Sequence, residues 1–345
     1  MKFKNILITG GAGFIGSNLA VYFKHKYPRL EVFVLDNLIR KGSELNLPRL
    51  RENGIKFIRG DVRRPKDLNL KFDIDLLLEC SAEPSVLAGY RNPLYIIDTN
   101  LMGTVNCLEF CRKRKAGIIF LSTSRVYPYE KINAIKRRES ESRFEWPGFS
   151  GINTDFPLTG AKTLYGTTKL ASEFILQEYV AAYGIKAVVN RCGVIAGPWQ
   201  FGKVDQGVFT YWMLAHYFKK PLKYIGFGGR GKQVRDLLHI DDLCRLIHLE
   251  ADNLFKLSGD TYNVGGAKEI SLSLCEASGL CEKITGNKIK IGRDSLNRPG
   301  DIALYLTDNG QVERKLNWRP KKGAPEILED IFFWVKDNEA KLKRL

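Results

Sequence analysis

The sequence predicts an α/β protein, a doubly wound parallel sheet with a smaller C-terminal lobe, and three observations lead there. Short apolar runs alternate with longer stretches of helical period through the first 192 residues, as in a sheet joined by crossover helices. Several runs are apolar nearly throughout, as strands buried on both faces are. The length of 345 residues exceeds one domain of roughly 150 residues. Two lobes are therefore expected: 1–192 as the sheet domain, carrying a helix at 163–183, and 193–345 mainly as a second, substrate-binding lobe, with room for the chain to cross back to the sheet.

The strand candidates in order are 5–9 (around Ile6-Leu7-Ile8), 31–36 (Val32-Phe33-Val34-Leu35), 56–61 (Phe57-Ile58), 75–82 (Leu76-Leu77-Leu78), 117–123 (Ile118-Ile119-Phe120-Leu121) and 186–192 (Ala187-Val188-Val189). Helical period is clearest over 93–114 and 163–183. Segment 128–160 breaks the rhythm with Pro, Gly, Glu and Arg, and a connection of that length inside a compact domain is usually functional. After Gly197-Pro198 the pattern loosens into short mixed elements, and no second complete sheet is expected.

Apolar residues make up 44 % and charged residues 27 %, which excludes wholesale disorder. No apolar run approaches the roughly 18 residues of a membrane span. The opening run, broken by glycines, resembles neither a signal nor a transit peptide, so a soluble cytoplasmic protein is expected. The charge of +16, from 54 basic and 38 acidic residues, draws anionic ligands, nucleic acid and phosphorylated metabolites alike. The basic residues form short clusters (Lys24/Lys26, Arg112 to Lys115, Lys136 to Arg138) that suit solvated faces, and no aromatic RNA-binding motif lies beside them. Neither a nucleic-acid nor a membrane partner is expected. The seven cysteines form no CxxC pair and the four histidines no HxxxH or HExxH spacing, so no metal site is expected.

The first strand runs into Gly10-Gly11-Ala12-Gly13-Phe14-Ile15-Gly16 at the opening of a helix. Glycine permits a tight turn and close approach of backbone to a pyrophosphate, and the helix then aims its first N–H groups at the phosphate charge. This context makes the sheet Rossmann-type, with Gly10, Gly13, Phe14, Ile15 and Gly16 binding the cofactor. Asp36 ends the second strand twenty residues beyond Gly16, where a carboxylate accepts hydrogen bonds from the adenosine ribose. It repels a 2′-phosphate and so favours NAD over NADP, although Arg40 and Lys41 lie close. Asn37 is counted with it as cofactor-binding.

Tyr165-Gly166-Thr167-Thr168-Lys169 sets a phenol and an amine four residues apart on one helical face. An ammonium nearby favours the phenolate, which can take a proton from a substrate hydroxyl while hydride leaves the carbon for a nicotinamide. Alone, such a pair is usually plain helix surface. Thr123 adds weight, because it ends the fifth strand, where open α/β sheets bind ligands, and can hydrogen-bond the same oxygen. Thr123, Tyr165 and Lys169 are the candidate catalytic residues, with Thr123 also touching substrate.

At these residues the chain resembles the extended short-chain dehydrogenase/reductase family, specifically its nucleotide-sugar epimerases and dehydratases. The resemblance covers nearly the whole chain and rests on the glycine loop, Asp36, Asp61 after the third strand, Thr99-Asn100, Thr123 four residues before Tyr127, and the Tyr165/Lys169 pair. It implies that Asp61 and Val62 hold the adenine end and that Lys169 meets the nicotinamide ribose. Ser81, Ala82, Asn100 and Tyr165 are the remaining cofactor-binding residues it suggests.

Within the family, Asp36-Asn37-Leu38-Ile39-Arg40-Lys41-Gly42, Gln200-Phe201 with Asp205-Gln206-Gly207, and Gly231-Lys232-Gln233-Val234-Arg235-Asp236-Leu237-Leu238-His239 are similar to the branch of CDP-paratose (CDP-tyvelose) 2-epimerases. The stretch through Arg235-Asp236 is shared with the 4,6-dehydratases, whereas Asp205-Gln206-Gly207 is narrower. Three departures matter. The 4,6-dehydratases carry an Asp-Glu pair after the site threonine to eliminate water, and this chain has Ser124-Arg125. Many 4-epimerases have Asn where Val194 stands. Tyr127-Pro128 replaces the usual Tyr-Gly and is expected to reshape the loop beyond. Glu83, in Ala82-Glu83-Pro84-Ser85, either tunes sugar selectivity or caps a turn. Arg235 and Arg298 are the candidate diphosphate ligands, since arginine offers bidentate charge-assisted hydrogen bonds, and Gln206 and Lys232 are further substrate contacts.

The resemblance implies a redox-neutral epimerase with NAD, of the kind used in lipopolysaccharide biosynthesis. Tyr165 deprotonates the sugar 2-hydroxyl, hydride leaves C2, the 2-keto sugar turns over, and hydride returns to the opposite face. The alternatives are another nucleotide-sugar 4-epimerase, a net NAD(P)-dependent sugar-nucleotide reductase, and a nucleic-acid-binding relative of the fold, which would have no need of Thr123, Tyr165 and Lys169. In this family helices equivalent to 93–114 and 163–183 pair between subunits, which implies a homodimer or homotetramer.

Overall fold

The structure, a computed structural model, describes residues 2–203 and 206–343. The chain forms two compact units. The first comprises the chain up to Val126, Thr163–Arg191 and Leu243–Tyr262; the second comprises Tyr127–Lys162, Cys192–Asp242 and the chain from Asn263 onward. The two units are interleaved along the chain. Helix Ile240–Leu257 accounts for the return crossing. Its apolar face, with Leu243, Leu246, Ile247, Ala251 and Leu254 buried, lies on the first unit, where Leu254 fills the space a side chain at Gly117 would need. The strand Thr261–Val264 that follows joins the sheet beside Ala187–Cys192.

In the first unit the sheet order is Thr261–Val264, Ala187–Cys192, Gly117–Thr123, Leu76–Glu79, Asn5–Thr9, Glu31–Asp36, Lys56–Arg59. The last five strands pair in parallel, with Leu7 opposite Phe33 and Leu77, and Leu78 opposite Ile119. The order reverses at the first strand, so the crevice beyond its C-terminal end is the ligand position of such sheets. One face packs Leu7, Phe33, Leu77, Ile118 and Phe120 against Cys107, Leu108, Cys111 and Leu176 of the covering helices. The third and fourth strands are shorter than the runs 56–61 and 75–82. After Glu79 the chain leaves the ladder, and Cys80, Ser81 and Ala82 line a pocket instead. The helical stretch 93–114 contains a π-helical segment, Ile97–Met102, which a periodicity of 3.6 does not announce. Helix Thr163–Tyr183 lies where the sequence puts it.

A buried polar pair crosses this unit. Asn190 Nδ2 donates to Glu250 Oε2 at 2.7 Å, and burial drives the Glu250 carboxyl up to about 8. A carboxyl whose folded pKa lies above its unfolded value, about 4.3, holds a proton that the unfolded chain has released. Its contribution to stability is complete below about pH 4 and is lost as pH rises through 8, by at most about 1.4 kcal/mol per pH unit. Stability should therefore fall between pH 6 and 8, and Glu250→Gln should flatten that slope. Urea midpoints across this range check it; an unchanged slope in the variant would contradict the assignment.

The second unit contains a small sheet in which Val234–His239 pairs with Ser271–Ser273 (antiparallel), Leu304–Tyr305 (parallel) and Val194–Ala196 (parallel). A separate parallel pair joins Leu222–Ile225 to Ile291–Asp294. Strands of two to six residues are too short for their period to show, so the sequence reads there only as short mixed elements. Helices Val208–Tyr217, Leu274–Thr285 and Ala324–Asp337 build the core with Trp212, Met213, Ile327, Ile331 and Trp334. Segment 128–160 supplies helix Tyr129–Ala134 and the hairpin of Arg138–Glu139 with Phe144–Glu145. Among the described residues no helix is long and apolar enough to cross a membrane, and no group of three or more His, Cys, Asp or Glu could hold a metal ion.

Candidate active site

The turn after the first strand is packed against itself. Gly10 has φ +63°, and a Cβ there would meet the Cys80 carbonyl at 2.9 Å. The N–H of Gly13 donates to the Gly10 oxygen at 3.0 Å, and a Cβ on Gly16 would come within 2.4 Å of that oxygen. Helix Phe14–Lys26 then begins with no side-chain cap and no acid in its first turn. Its leading N–H groups, at Phe14, Ile15 and Gly16, have no intrahelical acceptor and suit a pyrophosphate. The residues lining the pocket in front of the turn include Gly10, Gly13, Asp36, Asn37, Asp61, Val62, Ser81 and Ala82. These eight are among the residues that the sequence marks for a cofactor, and their mix of bare backbone and carboxylates suits a dinucleotide.

At the far end of this pocket Asp36 accepts the N–H of Ala12 (3.0 Å) and of Leu38 (2.8 Å). Burial raises its pKa, and those N–H groups pull it back. Asp61 is gripped by Arg63, whose guanidinium reaches both carboxylate oxygens, and by Asn37 Nδ2 at 3.1 Å. The Arg63 hydrogen bonds hold its pKa down to about 2, so it is a fixed negative charge. Asn100 lies fully buried in the π segment and locks the loop bordering the pocket: its Oδ1 accepts the Glu83 N–H (2.8 Å), its Nδ2 donates to the Glu83 carbonyl (3.1 Å), and its own carbonyl accepts Ser172 Oγ (3.2 Å). Glu83 itself caps a turn through the Ser85 N–H at 3.0 Å, while also lining the pocket.

Thr123, Tyr165 and Lys169 all belong to this unit. Thr123 ends the fifth strand, 7 % exposed, and its Oγ1 accepts the Arg125 N–H at 3.2 Å. The helix carrying Tyr165 and Lys169 is pressed onto the turn Ser124–Val126, because Gly166 has no side chain: a Cβ there would lie 2.0 Å from the Arg125 oxygen. Farther along, Glu173 accepts hydrogen bonds from Ser122 Oγ and from Arg191 Nη2 (2.8 Å). That network fixes the helix against the strand neighbouring Thr123. Lys169 is 2 % exposed, with Nζ 3.6 Å from Glu79 Oε2 and 4.2 Å from the centre of the Phe120 ring.

In the second unit, Arg235 Nη2 meets Asp301 Oδ1 at 3.1 Å, and the Asp301 N–H donates to the Arg298 carbonyl at 3.1 Å. One aspartate thus joins the Arg235 strand to the Arg298 turn. Lys232 is taken up within the protein, its ammonium donating to Glu139 Oε1 (2.9 Å) and the Ser140 carbonyl (2.7 Å). It fastens the hairpin of segment 128–160. Gln206 exchanges backbone hydrogen bonds with Lys203; Asp205, part of the segment singled out in the sequence, lies outside the described residues.

Sequence reasoning missed Glu79, Glu173 and Arg191. A charged residue closing the apolar run Leu76-Leu77-Leu78 was the available signal for Glu79. For Glu173 and Arg191 the signal was opposite charges inside segments otherwise read as buried.

A parallel sheet reversing at its first strand, with a side-chain-free turn and a helix N-terminus at that point, defines a Rossmann-fold nucleotide-binding protein. The model of the NAD dependent epimerase/dehydratase family matches residues 6–265, and the chain belongs to that family. It is 30 % identical over 338 residues to the CDP-paratose 2-epimerase of Salmonella typhi, spanning 96 % of this chain and 98 % of that protein. It is 28 % identical over 356 residues to the dTDP-glucose 4,6-dehydratase of Salmonella typhimurium, spanning 96 % and 93 %. Among solved structures, UDP-glucuronic acid 4-epimerase from Bacillus cereus, in complex with UDP-glucuronic acid and NAD, superposes with a TM-score of 0.80 at 26 % identity, covering 96 % of this chain and 99 % of that one. These relatives are sugar-nucleotide epimerases and dehydratases.

Proposed function

We propose that the protein is an NAD-retaining epimerase inverting C2 of a CDP-linked 3,6-dideoxyhexose, the chemistry of a CDP-paratose 2-epimerase. The observation that carries the reading is the seating of the Tyr165/Lys169 helix on the turn after Thr123, with Ser124-Arg125 in that turn where elimination of water would need an acid and a base. Similarity to the Salmonella typhi enzyme supports the choice of sugar. Tyr165, partly exposed, takes the proton from the 2-hydroxyl, and Thr123 Oγ1 hydrogen-bonds the same oxygen. Lys169 supplies the positive charge that favours the phenolate. Bound NAD would accept hydride from C2 and return it to the opposite face. Arg235 and Arg298, joined through Asp301, hold the diphosphate while the sugar turns over. Gln206 adds a nucleotide contact.

The test is turnover of the CDP sugar in deuterium oxide. Inversion at C2 with no deuterium at that carbon, no loss of water and no net change in NAD is expected. Deuterium at C2 would mean proton abstraction from carbon, and inversion only at C4 of a UDP sugar would place the chain among the 4-epimerases.

The same reading includes a homodimer. Tyr90, Leu94, Met102 and Phe174, on helices of the first unit, are 44–69 % exposed, apolar side chains that a partner subunit would cover. Light scattering should give twice the 39.2 kDa chain mass or a multiple of it, and Leu94→Lys with Phe174→Lys should give the monomer; a native monomer would end this part of the reading.

A further inference from the structure

Glu79 is a fully buried carboxylate beside Lys169. It is 0 % exposed at the end of the fourth strand, and its partner Lys169 is 2 % exposed. One carboxylate oxygen accepts Ser81 Oγ at 2.5 Å, and the other lies 3.6 Å from Lys169 Nζ with no hydrogen-bonding partner closer. Ser81 lines the dinucleotide pocket. One side chain thus holds both a pocket wall and the catalytic ammonium.

We propose that Glu79 is the positioning residue of this active site, the counter-charge that holds the Lys169 ammonium in place one helical turn beyond Tyr165. This rests on the role given to Lys169 above. The physical argument is mutual dependence. An isolated charge that deep loses its ionised form, because desolvation outweighs any gain it makes alone. Burial raises the Glu79 pKa, and Lys169 and Ser81 oppose that rise. The Phe120 face under Lys169 contributes a weaker attraction. The thiols Cys107 and Cys111 also face Glu79 from the covering helix, and burial pushes both well up, so they remain neutral. Thr9, opposite Glu79 in the sheet, carries no charge. Among the described residues that interact with it, Glu79 supplies the negative charge and Lys169 the positive one.

Glu79→Gln preserves shape and removes the charge. Lys169 should then lose the counter-charge that holds it, and Tyr165 the fixed cation that favours its phenolate. The ascending limb of kcat against pH should move alkaline by about one unit or more, a tenfold loss at fixed pH per unit, with KM for the nucleotide sugar little changed. A second readout needs no turnover: in protein labelled with 15N-lysine, the Lys169 ammonium resonance, identified by its absence in Lys169→Met, should be present in the native protein at pH 8 and missing in Glu79→Gln. If Glu79→Gln is not recovered folded, Glu79→Asp carries the test. It keeps the charge on a shorter arm and should show the same shifts, smaller. A variant keeping the ammonium resonance and the native pH profile would overturn the proposal while leaving the epimerase reading intact. Loss of the resonance in a protein that does not epimerise CDP sugars would instead overturn that reading and leave the pairing standing.

Discussion

Tyr165→Phe should lose turnover by about 10²–10⁴-fold, the range for a positioned proton-transfer group, while holding nucleotide sugar and NAD almost as tightly as the native enzyme. Such a loss corresponds to about 3–5 kcal/mol of transition-state stabilisation. The variant keeps the ring, so the packing of the helix start against the turn Ser124–Val126, set by Gly166, is unaltered. What disappears is one O–H at a partly exposed position, the only part of the side chain that can exchange a proton with a sugar hydroxyl. Dinucleotide affinity draws on the glycine turn, the opening of helix Phe14–Lys26 and Asp36, none of which the substitution touches. The expected pattern is therefore a fall in kcat with little change in KM, which marks an interaction made only in the transition state. Turnover within a few fold of native would show that another group moves the proton.

What was legible in the sequence was local. The glycine turn, Asp36 at the end of its strand and the Tyr165/Lys169 spacing each depend on residues within one supersecondary unit, and the structure brings the first two into one pocket. What was not legible depends on partners far along the chain. Glu79 looks like a strand end until Lys169, ninety residues later, is seen 3.6 Å away. Lys232 reads from the sequence as a substrate contact, and its hydrogen bonds to Glu139 and Ser140, from a segment with no readable period, are not legible there. The sequence context marks Asn100 as cofactor-binding, but its grip on Glu83 and Ser172 comes from a π segment that no amphipathic pattern reveals. The interleaving of the two units has the same origin. Helix Ile240–Leu257 falls where the sequence pattern loosens, and which surface its apolar face covers depends on the space at Gly117.

Arg191→Met should destabilise the first unit by about 3–5 kcal/mol, because it removes one partner of a buried ion pair and leaves the other charge stranded. Arg191 is 6 % and Glu173 1 % exposed in their side chains, 2.8 Å apart, so water cannot replace the lost guanidinium. The second oxygen of Glu173 holds Ser122, which keeps the carboxylate in place with no cation beside it. Adding Glu173→Leu should return much of the stability, since an apolar pair of similar volume is often neutral in such a site. Urea unfolding of the native protein, the single variant and the double variant gives the comparison directly. A single-variant cost below about 1 kcal/mol, the size of an exposed pair, would show that solvent reaches the site. The pair also bears on catalysis: Ser122 precedes Thr123, and Glu173 lies one helical turn beyond Lys169. The double variant should therefore recover folding more fully than kcat, because the apolar pair restores packing and leaves Ser122 without the partner that aligns the end of the strand.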